Sequence, residues 1–467
     1  MRKTKIVGTI GSSSIEYADM KKLVLAGLNV VRINLSHASL EMMEKTLTNV
    51  KRIRKELKVP LPIMLDTRGP ELRVKTFKNN SVNIVKNQEF VFTGRNVVGD
   101  ETGVSLNVSS IAKSLKVGNT ILACDGLLTF KVVEIKDKDI ITKAMNSGVI
   151  SNRKSLCVPG LKFTSPYLNA ADKADILWGI KNDIDLIAAS FVNSKEDVLT
   201  LRNFINKNGG DMKIIAKIES QLGVNNMEEI IEVSDGVMVA RGDLGVEVPM
   251  EKLPEIQKVM IQAAIQKGKT VITATEMLES MINNKRPTRA EVSDIANAIY
   301  DGTSCIMLSG ETAVGKYPEE AVKTMSKVAL ETEKHIEYFK EHNDIELDTI
   351  ADFVSKGAVA ASYTQDVKLI VSYTTTGKTA GLISRFRPRV EIIGATPNEK
   401  VYRQLELRWG VKPMLTPVYN TTDEMFKIAN DLVKKNKLAS KGDLMVVTCG
   451  TPKQGGGTNL IKIEEVK

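Results

Sequence analysis

Cysteine, histidine and aromatic side chains are scarce in this chain. Four cysteines, Cys124, Cys157, Cys305 and Cys449, are scattered through 467 residues. No two stand at Cys-x-x-Cys spacing, which argues against structural zinc, and so sparse a set fits a reducing cytoplasm. The three histidines are His37, His335 and His342, the last two on a predicted polar helix where they read as surface residues. Aromatics make up 5%, thin for a base-stacking surface. Net charge is +9, from 65 Lys and Arg against 56 Asp and Glu. The basic residues form no long run, so no nucleic-acid arm is expected and small anionic substrates fit. No apolar stretch approaches the roughly 20 residues that span a bilayer. The segment Met1–Gly11 has a basic start but no sustained apolar run, and reads as a first strand rather than a signal peptide.

What is present is a recurring pattern. Short apolar, β-branched-rich runs end repeatedly in polar residues: Thr4–Ile10, Asn29–Ile33, Leu61–Leu65, Asp185–Ala189, Lys213–Ile218, Gly236–Ala240, Thr270–Thr273 and Cys305–Leu308. Amphipathic patterns such as Leu40–Leu57, Lys195–Asn206 and Leu253–Lys267 lie between them. Eight such units predict a TIM (β/α)8 barrel. The third and fourth runs are too far apart for one helix, and the intervening segment reads as short strands separated by turns: Val82–Val85, Glu89–Phe92, Thr120–Ala123, Thr129–Ile135 and Ile140–Ala144. After about residue 345 strands and helices alternate again, with strands Lys368–Thr374, Glu391–Thr396, Lys412–Leu415 and Leu444–Thr448. The expected organisation is a barrel from residues 1–70 and 168–345, an inserted small β lid domain over 71–167, and a C-terminal α/β domain over 346–467.

In such a barrel the loops after the strands carry the chemistry. Arg32, Asn34, Ser36 and His37 follow the second run, and Asp66, Thr67, Arg68 and Arg73 the third. Lys217 and Glu219 end the fifth, Arg241 to Asp243 the sixth, Thr275 the seventh, and Ser309 to Glu311 the eighth. One mouth that gathers cations, carboxylates and hydroxyls suits a phosphorylated, carboxylated substrate with a divalent metal. Magnesium takes one or two protein carboxylates plus substrate oxygens and water, and Glu219 and Asp243 end neighbouring strands. Lys217, two residues before Glu219, shares its side of the strand and would stabilise charge on a moving phosphoryl group or an enolate. Arg-Gly-Asp-Leu-Gly (241–245) reads as a glycine-rich loop leading into a helix, able to cradle an anion. The oxygens of Asn34, Ser36, Asp66 and Thr67 could hold a monovalent cation, but the same residue types cap turns, and composition favours capping.

Together these motifs closely resemble those of the pyruvate kinase family. The matching stretches are Thr-Lys-Ile-Val-Gly-Thr-Ile-Gly (4–11), Arg-Ile-Asn-Leu-Ser-His (32–37), Leu-Asp-Thr-Arg-Gly-Pro-Glu-Leu-Arg (65–73), Ile-Ala-Lys-Ile-Glu (215–219), Met-Val-Ala-Arg-Gly-Asp-Leu-Gly-Val-Glu (238–247), Ala-Thr-Glu-Met-Leu-Glu-Ser-Met (274–281) and Met-Leu-Ser-Gly-Glu-Thr-Ala (307–313). The resemblance implies transfer of a phosphoryl group from phosphoenolpyruvate to ADP, the last step of glycolysis. It implies that Arg32 contacts the phosphoryl group and that Lys217 stabilises the transition state and enolate. Gly242 and Asp243 would bind the substrate carboxylate and magnesium, with Glu219 as the second magnesium ligand and manganese as a substitute ion. Thr275 would bind substrate and help protonate the enolate, with Ser309 and Glu311 supporting its water network. Asn34, Ser36, Asp66 and Thr67 match the family's potassium ligands, which reverses the capping preference. Glu71 stands where potassium-dependent members carry glutamate. Asn34, His37, Arg73 and Lys154 match nucleotide-binding positions, and Asp125 a lid residue that closes over the site.

The chain departs from the family pattern in four places. Arg68 stands where lysine is common and Glu276 where glutamine is usual, while Ser155 and Cys157 replace glycine and asparagine. In the C-terminal domain, Thr374, Thr375, Thr376, Gly377, Lys378 and Thr379 match a loop that takes the phosphate of a sugar-phosphate effector, with Gly455 to Thr458 nearby; an ordinary helix cap is the plainer reading of the same residues. The effector itself, whether fructose bisphosphate, ribose 5-phosphate or AMP, is open. A cytoplasmic homotetramer is the family expectation. Two rival readings are a catalytically dead sugar-phosphate sensor and a related magnesium–enolate barrel enzyme such as an aldolase. The intact Lys217, Glu219, Asp243 and Thr275 speak against the first, and the nucleotide lid against the second.

Overall fold

The computed structural model describes residues 2–124, 126–161, 166–336, 345–364, 366–450 and 457–467. Eight parallel strands close into a barrel: Lys5–Thr9, Val30–Asn34, Ile63–Asp66, Leu186–Ala189, Lys213–Ile218, Gly236–Ala240, Thr270–Ala274 and Cys305–Leu308. The first strand pairs with both the second and the last. Strands buried on both faces explain the near-continuous apolar runs. One set of side chains, including Ile6, Val31, Leu65, Ile187 and Ala216, packs outward against the helices. The alternate set, including Val30, Met64, Leu186, Ile215, Met238 and Met307, fills the barrel interior. Leu407, from the C-terminal domain, joins that interior cluster and plugs the base of the barrel.

The period of two then places the chemistry. Arg32 lies two residues beyond Val30, Asp66 two beyond Met64, and Lys217 two beyond Ile215, so the interior column turns from apolar to charged on approaching the mouth. The surrounding helices have visible local causes. Leu40–Leu57 starts at Ser39, whose side chain accepts from Met42 N, and ends at Lys58 in the left-handed conformation. Arg289–Tyr300 opens with a capping box between Thr288 and Glu291.

Between the third and fourth barrel strands lies a seven-stranded sheet with a two-stranded ribbon beside it. A bridge from Val74 to Leu106 and a hydrogen bond from Lys75 N to Ser105 O at 2.8 Å join its two edges, curling it into a small barrel. Its core centres on Phe90, Phe92 and Phe130, with ring centroids 5.1–5.7 Å apart. Four of its strands, Leu72–Arg73, Gly103–Ser105, Gly148–Ser151 and Ser155–Cys157, are too short to show a period in the sequence.

The C-terminal domain is a five-stranded sheet. Val367–Tyr373, Glu391–Thr396, Val411–Leu415 and Leu444–Cys449 run parallel. A fifth strand, Leu460–Glu465, adds antiparallel to Leu444–Cys449; its side chains are all at least partly exposed, so it leaves no apolar run in the sequence. Ion pairs fix this domain to the base of the barrel, among them Arg403 with Asp183 at 2.6 Å and with Asp185, which Arg54 also contacts at 2.7 Å. The Arg241–Gly245 segment is a correction: it is no loop but the start of a short helix, Arg241–Glu247, that follows the sixth strand directly. Arg241 is buried and turned back, its guanidinium bonded to Asp294 at 2.7 Å and to the Thr275 carbonyl at 2.6 Å. Among the described residues no helix is long and apolar enough to cross a membrane.

Candidate active site

Lys217 is the centre of the barrel mouth. Its Nζ lies 3.0 Å from Asp66 Oδ1, 2.8 Å from Glu219 Oε1 and 2.8 Å from Ser190 Oγ. Burial acts to lower its pKa, but Asp66 and Glu219 overcome this and raise it, so the ammonium stays charged. Asp66 is itself buried and takes Arg32 Nε on its other oxygen at 2.7 Å. Burial works against that carboxylate, yet Arg32 and Lys217 hold it below the usual range. Arg32 Nη1 also donates to Thr9 Oγ1 at 2.7 Å. Two cations therefore converge on one buried carboxylate, and Lys217 takes Glu219 as its second partner.

Glu219 is the opposite case. Burial pushes its carboxyl up to about 7, although Lys217 pulls it down, and the Asp243 carboxylate adds to the rise. Its second oxygen accepts from Phe191 N at 2.6 Å. The Asp243 carboxylate is exposed and carries no hydrogen bond or ion pair to the described residues. A raised carboxyl beside a second, uncommitted carboxylate is the donor set a divalent cation would relieve. Among the described residues no three His, Cys, Asp or Glu side chains gather to enclose a metal by themselves. The remaining positions would fall to substrate and water, which is magnesium's habit.

Thr275 and Glu276 follow the seventh strand with φ of +67° and +55°, a conformation that L side chains with a Cβ rarely adopt. This turn brings Thr275 Oγ1 to 2.8 Å from Gly242 N, whose N–H it accepts, while its own hydroxyl donates to the Ala274 carbonyl at 2.6 Å. Glu311 is buried behind this turn, accepting from Leu278 N at 3.0 Å and Ser309 N at 2.7 Å, and burial raises its pKa.

The Asn34–Thr67 group sits where the second and third strands end side by side, Asn34 in register with Asp66. Asn34 Oδ1 accepts from Ser36 N at 3.1 Å, which is turn capping, and the Thr67 carbonyl accepts from Ser190 Oγ at 2.7 Å. His37 is exposed nearby, its pKa lowered by partial burial and then by Arg73 and Arg32. Arg73 is clamped to Glu71 at 2.7 Å and donates to the Arg153 carbonyl at 2.8 Å. Lys154 keeps its side chain exposed. Arg68 points away from the mouth, to the Leu35 carbonyl at 2.9 Å and Asp175 at 3.2 Å. Asp125 lies outside the described residues.

In the C-terminal domain Thr375, Thr376 and Lys378 are exposed, while Thr374, Gly377 and Thr379 are buried. Gly377 N donates to Thr374 Oγ1 at 2.9 Å, and Thr379 Oγ1 meets Thr458 Oγ1, so the loop is capped from within. Gly455 and Gly456 lie outside the described residues.

The residue motifs passed over Ser190 and Thr9. Ser190 bridges Lys217, Asp66 and the Thr67 carbonyl, and Thr9 braces Arg32. Each is the first polar residue at the end of a barrel strand, so the rule applied to the other strands would have found both.

Two family models match the chain: a pyruvate kinase barrel domain over residues 1–322 and a pyruvate kinase alpha/beta domain over residues 352–464. A pyruvate kinase of Clostridium acetobutylicum is 42% identical over the full length of both chains. One of Geobacillus stearothermophilus is 43% identical over all of this chain and 80% of its own. The crystal structure of a pyruvate kinase from Cryptosporidium parvum superposes with a TM-score of 0.94 at 37% identity, over 100% of this chain and 96% of that one. With the closed barrel, the inserted β domain and the charged mouth in place, the chain belongs to the pyruvate kinase family.

Proposed function

We propose that the chain moves the phosphoryl group of phosphoenolpyruvate onto ADP, giving pyruvate and ATP, with Mg2+ or Mn2+ and with K+. The observation that carries this reading is the Lys217 ammonium, held between Asp66 and Glu219 beside the Arg32 guanidinium and the uncommitted Asp243. Phosphoryl transfer asks a protein mainly for positioning and for positive charge around the moving group. Lys217 and Arg32 supply that charge from preset positions and need no rearrangement when charge develops.

Glu219 and Asp243 would hold the divalent ion, which when bound neutralises phosphoryl and enolate oxygens. Asn34, Ser36, Asp66 and Thr67 would hold potassium, with Glu71 favouring dependence on it. Gly242 and Thr275 would receive the substrate carboxylate, and the Thr275 hydroxyl would help bring a proton to the enolate carbon. Asn34, His37, Arg73 and Lys154 would face the nucleotide. The 374–379 loop would take an effector phosphate, and the assembly would be a cytoplasmic homotetramer. A coupled assay of the full chain with phosphoenolpyruvate, ADP and magnesium tests the reading, run with and without potassium and with fructose bisphosphate, ribose 5-phosphate or AMP. Pyruvate formation is expected, stimulated by potassium. No pyruvate under any of these conditions overturns it.

A further inference from the structure

Arg387 is a partly buried guanidinium with no carboxylate in ion-pair reach among the described residues. It stands at the seam between the barrel and the C-terminal domain. Nη2 donates to the Gly302 carbonyl at 2.7 Å and to Ser304 Oγ at 3.2 Å, and Nη1 to the Ser384 carbonyl at 3.3 Å. One face lies over Trp409, 4.7 Å from the ring centroid. Its Nε is buried and meets no acceptor among the described residues. Burial and the neighbouring Arg408 both act against its charge, opposed only by Cys305. Cys305 supplies no countercharge: its thiol donates to the Leu407 carbonyl at 3.2 Å, and burial pushes it up to about 12.

Arg387 has like-charged company. Arg408, Arg385 and Lys269 line the same small cavity, together with Ser304 and Ser384. Arg408 gives Nη1 to the Gly268 carbonyl at 2.9 Å, and Lys269 gives Nζ to the carbonyls of Ser234 and Glu232 at 2.7 and 2.9 Å. Arg385 does have a carboxylate, Asp352 at 2.6 Å, yet its Nε is also buried without an acceptor. Four cations thus face one cavity, and among the described residues only Arg385 is ion-paired.

Guanidinium groups do not shed their proton in proteins, and a buried charge is normally paired. Asp235 acts on Arg408 and Lys269, and Glu232 on Lys269, from beyond ion-pair distance; at Arg387 the carbonyls and the indole supply only partial negative charge. A water molecule would satisfy the spare N–H groups and leave the charge unbalanced. An anion would satisfy both. The cavity volume is about 10 Å³, room for one water-sized body and too little for a phosphoryl group. We propose that this cavity binds a single small monovalent anion of chloride size, held by Arg387, Arg408 and Lys269. The ion would bridge the end of the helix Leu253–Gln266 and the start of the eighth barrel strand to the helix Lys378–Arg385, and so cement the C-terminal domain to the base of the barrel.

Bromide is the probe. Crystals of the full chain grown without halide and soaked in sodium bromide are expected to show a bromine anomalous peak within hydrogen-bond reach of Arg387 and Arg408. In solution, replacing potassium gluconate with potassium bromide at constant ionic strength is expected to raise the thermal midpoint by about 2 °C, saturably. That rise would oppose bromide's general tendency to destabilise folded proteins. Arg387→Met should lose both signals, and Lys269→Gln should weaken the midpoint response where Arg387→Met fails to fold. No peak, water alone at the position, or a peak without a saturable midpoint shift overturns the proposal.

Discussion

The Cys157 thiol donates to Glu247 Oε1 at 3.0 Å, joining the last strand of the inserted domain to the end of the helix that begins with Arg241, Gly242 and Asp243. The other oxygen of Glu247 faces Gly160 N at 3.5 Å. Glu247 is a costly choice in isolation, since an acid at a helix C-terminus opposes the dipole and burial raises its pKa. Cys157→Ala should loosen the strand that leads from Lys154 and raise the KM for ADP by about 3–10-fold, the worth of one ordinary hydrogen bond. Cys157→Ser should restore it. Steady-state kinetics with ADP varied decide the matter, and an alanine variant equal to wild type sinks the idea.

Lys217→Met should lower kcat by about 10²–10³-fold, the loss expected when a preorganised group is removed from a transition state. The fold should survive, because Asp66 keeps Arg32 and Ser190, and Glu219 keeps the Phe191 N–H. Phosphoenolpyruvate binding, measured by calorimetry, should remain. Turnover near the wild-type rate would remove Lys217 from the chemistry.

Thr275 offers a test with two signs. A β-branched residue at φ +67° is strained by about 1–2 kcal/mol relative to glycine. Thr275→Gly should therefore hold or raise the thermal midpoint while cutting kcat, because it deletes the hydroxyl that caps Gly242 N. Thr275→Ala should lose activity without the gain in stability. A glycine variant that is both destabilised and fully active would contradict this account of the turn.

The pH dependence of stability can be probed away from the site. Asp235 pairs with Arg202 at 2.8 Å and accepts from Ile214 N at 2.9 Å. Burial works against its charge, but Lys213 and Arg202 win and its pKa is lowered. A carboxylate with a depressed folded pKa contributes stability that is present above its unfolded value, near 3.9, and lost as pH falls through the folded one. Asp235→Asn should be less stable than wild type by about 1 kcal/mol at pH 7, with the gap closing below about pH 4. Denaturant melts at several pH values measure it, and a gap that stays constant from pH 7 to pH 3 would contradict the assignment.

Much of the barrel was legible because its strands are buried on both faces. The runs at Lys213–Ile218, Gly236–Ala240 and Cys305–Leu308 coincide with strands to the residue, and Leu40–Leu57 is the helix its pattern predicts. The inserted domain was harder, because strands of two to four residues carry no readable period. Leu460–Glu465 escaped because exposed alternation on an edge strand leaves no apolar run. At the mouth, the neighbourhood of Lys217, Glu219 and Asp66 followed from strand ends alone. The role of Ser190 as the bridge between Lys217 and Asp66 did not, because a serine after two alanines carries no charge signal. Gly242 and Thr275 were named separately, and only the left-handed turn at Thr275 shows them to be one hydrogen-bonded unit.

The inserted domain also sets a schedule for the chain's birth. The third barrel strand ends at Asp66 and the strand it must pair with begins at Leu186. At about 5–20 residues per second a ribosome needs on the order of ten seconds to cross that gap. Meanwhile three emerged strands expose an unpaired edge. The first strand waits longer still, since its partner on one side, Cys305–Leu308, is the last barrel strand to be made. The small β domain, complete by Cys157 and closed on its own phenylalanine core, can fold in the interval. The nascent barrel is thus left as the aggregation-prone partner that a chaperone would need to shelter until the eighth strand arrives.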